Sequence, residues 1–293
     1  MPDARAETLR VVQLNMGSLL ERDWERRRNE VLAWFERLDP DVVCLQEAWE
    51  DGTHPCSAEW LVDNAPGGPG RWHWCFGGLP LPEPLWPDRS LRFGSAILSR
   101  WPIDHQELVA LPVDVESPDP LRHFESELLH ARTAGVDVYS THLVPAPAHA
   151  YHRVRQVLAI DEAVERTRDP AASLPVVLCG DFNAEPGSDE MRFLMSLAVI
   201  DGRSTYYRDA WAAAGRTDPG ITADPRTNPV CAALNVPPKR IDYVLLGDAF
   251  ARRKGAGRVL SASIAFDEPL TGILASDHWG LVVDLRWPDR PSG

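Results

Sequence analysis

The chain has 293 residues, 44% hydrophobic and 25% charged, a balance that excludes a disordered or fibrous chain and permits a large core without disulfide staples. A formal charge of -13 works against tight, sequence-independent binding to a nucleic-acid backbone. Five cysteines without CxxC spacing argue against a zinc site. The absence of an 18-residue apolar run or a basic-then-apolar leader predicts a cytoplasmic enzyme with no integral membrane association.

In chain order, residues 9–15 (LRVVQLN) read as a first strand. Residues 23–38 carry Trp24, Val31, Leu32, Phe35 and Leu38 at helical spacing with arginines opposite, and Asp39-Pro40 ends that helix. Residues 41–47 (DVVCLQE) form a buried strand ending in two polar residues. Residues 51–92, rich in Pro, Gly and Trp, predict irregular chain with a strand in RWHWCF (71–76) and a loop over 77–90. Strands follow at 94–99, 124–130 and 135–142, the last ending in STH. A helix spans 150–168, and 175–183 (PVVLCGDFN) is a buried strand opening into a polar loop. Ser188 before Asp189 and Glu190 suits a helix N-cap. A short helix at 209–214, a long loop at 216–238 and strands at 241–246, 257–265 and 280–285 complete the chain. With no repeat, this order predicts an α/β chain in one domain over 1–293. Its strands form one mixed sheet, or two sheets packed face to face with helices outside.

Polar residues cluster where buried strands end. Glu47 follows VVCLQ, Asp181 follows VVLCG, Asp242 follows RI, and Asp277 precedes a final apolar run. One carboxylate at a buried strand end is explained as well by an ion pair or a cap, but four beside other polar residues point to a shared cation. The oxygen-rich set Asn15, Glu47, Asp181, Asn183 and Asp277 selects magnesium, with manganese as the alternative, over zinc, and magnesium held this way implies phosphoryl chemistry. Seven of nine histidines, His54, His73, His105, His123, His130, His149 and His152, read as surface or structural. His142 and His278, beside β-rich runs and an acid, are the two suited to proton transfer.

The segments VVQLNMG, DVVCLQEAW, FGSAILSRWPI, YSTHLVP, VVLCGDFNAEPGS, KRIDYVLL and SDHWGLVVDL together resemble the endonuclease/exonuclease/phosphatase superfamily, in that family's order, over residues 11–285. The resemblance implies a four-layer α/β/β/α sandwich of two mixed, mostly antiparallel sheets. It also implies that Glu47 is the principal metal ligand with Asn15 beside it, and that Asp181 positions or deprotonates the attacking water. By the same likeness Asn183 holds the phosphate, His278 contacts it under the orientation of Asp242, and Asp277 is a further metal-site acid. His142 stands where members place a phosphate-binding or leaving-group histidine, paired with an acid on a neighbouring strand; the strand RFGSAILS offers no such acid.

These residues imply in-line attack of water on phosphorus, with no covalent nucleophile. The acidic charge favours a small phosphorylated metabolite as substrate. The alternatives are DNA or RNA along a basic wall of Arg71, Arg89, Arg92, Arg100 and Arg153, and a lipid head group on a sphingomyelinase-like wall of Trp72, Trp74, Trp86 and Trp101. An inactive binding protein on the same fold is a further alternative, opposed by the completeness of the residue set.

Overall fold

The computed structural model describes residues 4–68, 70–81, 86, 88–113, 126–231, 235–247 and 252–291. Parts of the expected 77–90 and 216–238 loops, the first two residues of the expected strand at 124–130, and His123 lie outside the described residues. The strands are β1 (Thr8–Asn15), β2 (Val42–Glu50), β3 (His73–Leu79), β4 (Arg92–Ser99), β5 (Ile103–Ala110) and β6 (Glu127–Thr133), followed by β7 (Val136–His142), β8 (Val176–Asp181), β9 (Arg208–Asp209), β10 (Asp242–Gly247), β11 (Val259–Ala265) and β12 (Gly280–Arg286). The helices are α1 (Trp24–Leu38), α2 (Ser57–Asn64), α3 (Ala150–Thr167), α4 (Asp189–Leu194) and α5 (Ala210–Ala213).

Two six-stranded sheets form, in the orders β11-β12-β1-β2-β4-β3 and β5-β6-β7-β8-β10-β9. Among the described residues, only β1–β2 and β7–β8 pair in parallel. Strand residues alternate between faces, and three cores result. Val11, Cys44, Ile97, Val138, Cys179 and Val244 pack between the sheets. Val12, Leu14, Val43 and Leu45 turn outward against Val31, Trp34 and Phe35 of α1 and against α2. Leu178, Tyr243 and Leu245 turn outward against Val157, Ile160 and Val164 of α3 and against α4. Burying each aliphatic side chain stabilises by roughly 1.5–3 kcal/mol, so three continuous cores hold four layers, α/β/β/α, as the motifs implied.

Two longer elements escaped the sequence reading for physical reasons, and the two-residue strand β9 is too short to carry any pattern. The edge strand β5 (IDHQELVA) is largely exposed, so it carries little apolar pattern. Helix α2 buries Ala58, Leu61 and Val62 but spans barely two turns, too short for its period to register inside a Pro-rich segment. One residue was also misplaced. Arg27 was assigned to the polar face of α1 but is buried, at the step between Trp24 and Val31.

Candidate active site

The alternation that builds the central core also builds the site. Inward residues Val11, Cys44, Val138, Cys179 and Val244 are followed at even spacing by Gln13 and Asn15, Gln46, Ser140 and His142, and Asp181, and preceded by Asp242. The inter-sheet layer is therefore apolar in its middle and polar at one end. Register places Asn15 beside Gln46, and Asp181 between His142 and Asp242. Gln13 and Gln46 exchange amide hydrogen bonds, Gln46 Nε2 also donates to Ser140 Oγ at 2.9 Å, and Gln13 Nε2 to Asp242 Oδ1 at 3.3 Å. This ties the two sheets directly beneath the site.

Glu47 would point outward on a regular strand, with Val43 and Leu45. A β-bulge between Leu45 and Ala48 adds a residue, and Glu47 adopts φ 60°, a left-handed conformation costing roughly 1–2 kcal/mol. The carboxylate is thereby turned to the sheet end, where Asn15 Nδ2 donates to Glu47 Oε1 at 3.0 Å and to Asp181 Oδ2 at 3.1 Å. Asn183 also has a positive φ, 48°; its N–H donates to Asp181 Oδ1 at 2.8 Å and its Nδ2 to Leu143 O at 2.9 Å.

The histidines face the same acid. His142 Nε2 lies 3.5 Å and His278 Nε2 3.8 Å from Asp181 Oδ2, and His278 Nε2 lies 3.9 Å from Asp277 Oδ2. His278 Nδ1 hydrogen-bonds Asp242 Oδ2 at 2.9 Å, so Asp242 sits behind the imidazole with its side chain fully buried. Burial opposes the His278 charge, but Asp242, Asp277 and Asp181 outweigh it and hold the imidazolium well above the usual range. Burial lowers His142, which favours its neutral form. Burial, and then the Asp277 charge, push the Glu47 carboxyl up to about 8.

Asn15, Glu47, His142, Asp181, Asn183, Asp277 and His278 line one cavity of about 360 Å³, with Asp242 immediately behind. All eight expected residues thus come together. A larger cavity of about 890 Å³ lies beyond Glu21, but it contains none of them, and the convergence of polar groups places the chemistry in the smaller one.

Could these residues hold a hard cation? Glu47 Oε2 is buried and has no hydrogen-bond partner among the described residues, a costly state for a carboxylate that a cation would relieve. Asp181, Asp242 and His278 offer ligand atoms within 4.8 Å of one another. Asp242, however, is already engaged by His278 and Gln13, so Glu47 is the better-placed oxygen donor. The donor set fits an oxygen-seeking divalent ion.

Several supporting residues escaped the sequence reading. Arg27 donates to the carbonyls of Met16, Gly17, Glu21, Arg22 and Ala275 at 2.7–3.0 Å, clamping the β1–α1 loop to the chain that carries Asp277. Its position on the apolar stripe of α1 was the available signal. Thr222 Oγ1 accepts from the Ile241 and Asp242 backbones, and Ser276 Oγ donates to Asn15 O. No motif marks Thr222, whereas Ser276 opens the SDH segment beside Asp277. Among the described residues, several members of the expected arginine and tryptophan walls are engaged elsewhere. Arg71 and Arg100 pair with Asp39, Arg153 is buried against Glu190, and Trp72 and Trp101 are buried.

A model described as "Endonuclease/Exonuclease/phosphatase family" matches residues 12–278. No protein of curated function matches the chain. Among solved structures, Danio rerio TDP2 complexed with single-strand DNA product aligns with TM-score 0.68 and 17% identity, over 97% of this chain and 100% of that one. The human Nocturnin catalytic domain with bound sulfate aligns with TM-score 0.63 and 20% identity, over 97% and 94%. An endonuclease/exonuclease/phosphatase from Beutenbergia cavernae aligns with TM-score 0.62 and 22% identity, over 98% and 73%.

Proposed function

The chain belongs to the endonuclease/exonuclease/phosphatase family and is a metal-dependent phosphoric ester hydrolase; from that premise we propose that it cleaves a small phosphorylated metabolite in a single catalytic domain. The observation that carries the reading is the unpartnered Glu47 oxygen at the wall of a cavity that also holds two histidines, two aspartates and two asparagines. Glu47, Asn15 and Asp277 would hold magnesium, or manganese in its place, which when bound supplies positive charge to the phosphoryl oxygens. Asp181, anchored by Asn15 and the Asn183 N–H, orients the attacking water and draws off its proton. The His278 imidazolium, backed by Asp242, donates to a phosphoryl oxygen as charge builds there. Asn183 has one amide proton left for the phosphate after bonding Leu143 O. His142, kept neutral by burial, contacts the phosphate or the leaving oxygen.

The walls support a small substrate. Leu20, Pro145, Pro147, Pro225 and Val236 make the cavity mainly apolar, with Lys239 as its nearest lysine. An adjoining cleft of about 600 Å³ shares Pro147, Asn183, Lys239 and Ile241. A concave, mainly apolar space of this size suits a small molecule. Cleavage of single-stranded nucleic acid is the second reading, favoured by the likeness to the TDP2 complex with its DNA product and opposed by arginines engaged elsewhere.

The test is hydrolysis of bis-(p-nitrophenyl) phosphate, the monoester, a panel of phosphorylated metabolites, RNA and single-stranded DNA, each with Mg²⁺ and with EDTA. The reading expects EDTA-sensitive turnover highest on a metabolite, and Asp181→Ala slower by at least about a hundredfold. Turnover highest on nucleic acid would favour the second reading, and none on any substrate would favour a binding protein.

A further inference from the structure

We infer that Glu127, in the second sheet, is a positioning residue that holds the bulge aiming Glu47; the inference rests on Glu47 acting as a metal ligand. Without the extra residue, Glu47 would fall on the outward face with Leu45, because a one-residue change of register moves a side chain to the opposite face. The bulge therefore decides whether the carboxylate reaches the site at all, and it is maintained against an unfavourable backbone conformation. Two flanks hold it. On the β1 side, Met16 N donates to Gln46 O at 3.2 Å and Ser18 Oγ to Glu47 O.

On the β4 side, the register passes from Leu45↔Ala96 to Ala48↔Gly94, so Ser95 stands opposite the bulge with no Cα partner in β2. Its N–H donates instead across the sheet interface, to Glu127 Oε1 at 2.7 Å. Glu127 is 1% exposed and sits at the end of β6, one residue beyond the Leu128↔Thr141 pair and thus next to His142. A carboxyl buried in the inter-sheet layer is costly. Here it accepts from the backbone of the β4 residue opposite the bulge, and it braces the two sheets at the depth of the site.

The experiment is calorimetric titration of the metal-free full-length chain and its variants with Mn²⁺, with near-ultraviolet circular dichroism as the check on packing. Glu127→Asp shortens the side chain by one methylene and withdraws the acceptor from Ser95; affinity should fall at least about tenfold, the scale for residues that orient metal ligands. Glu127→Gln keeps an acceptor at the same reach and should bind within about threefold of the parent. Glu47→Gln is the control. If it binds Mn²⁺ normally, Glu47 is not a ligand and the underlying reading fails. If it loses the metal while folded Glu127→Asp does not, the positioning role alone is overturned. Should Glu127→Asp fail to fold, Glu127→Leu, which fills the space without an acceptor for Ser95 N, decides: a tenfold loss with Glu127→Gln near parental upholds the role, and near-parental binding overturns it.

Discussion

Asn15 spends both amide protons on carboxylates, one on Glu47 and one on Asp181, and so fixes the spacing of the two acids that bound the site. Asp242 does the same service for His278 from a fully buried position. Replacing it with asparagine removes the nearest counter-charge while keeping the shape. In Asp242→Asn the His278 pKa should fall by at least about one pH unit, followed by NMR of the imidazole nitrogens. An unchanged titration would mean that Asp277 and Asp181 suffice. Glu127 makes a second residue-scale prediction. Burial pushes its carboxyl up to about 8, above its unfolded value, so the folded state binds the extra proton and stability is lost as pH rises from about 4.5 to 8. Measured against Glu127→Gln in EDTA, the parent should lose up to about 5 kcal/mol across that window. A melting-temperature difference that does not vary with pH would contradict the assignment.

At the scale of elements, the site depends on where strands stop and how loops return. The GDFN, THL and SDH segments were legible in the sequence because each is a polar break beside an apolar or β-rich run. The bulge in β2 was not legible: DVVCLQEAW reads as one continuous strand, and only the pairing with β4 reveals the inserted residue. Arg27 was half legible, on an apolar stripe but hidden by its charge. The β1–α1 loop adds a constraint at Gly17. Its φ is 53°, and a Cβ there would stand 2.6 Å from Asp277 Oδ1. Gly17→Ala should therefore displace the Asp277 carboxylate, costing about 1 kcal/mol of stability and raising the Mg²⁺ concentration needed for half-maximal turnover. Parental Mg²⁺ dependence in that variant would free Asp277 from the proposed role.

At the scale of the molecule, two sheets close on an apolar layer whose one end is polar, and the eight candidate residues come from six strand ends spread over residues 15–278. The candidate residues could be picked out because the order of motifs is specific. Their convergence could not, since it follows from the pairing order of twelve strands rather than from any local pattern. The most direct test of the whole account is an anomalous difference map from a crystal soaked in Mn²⁺. The account predicts the strongest peak within bonding distance of Glu47 Oε2, next to Asn15 and Asp277. A peak on Asp242 and His278 with none at Glu47 would contradict it.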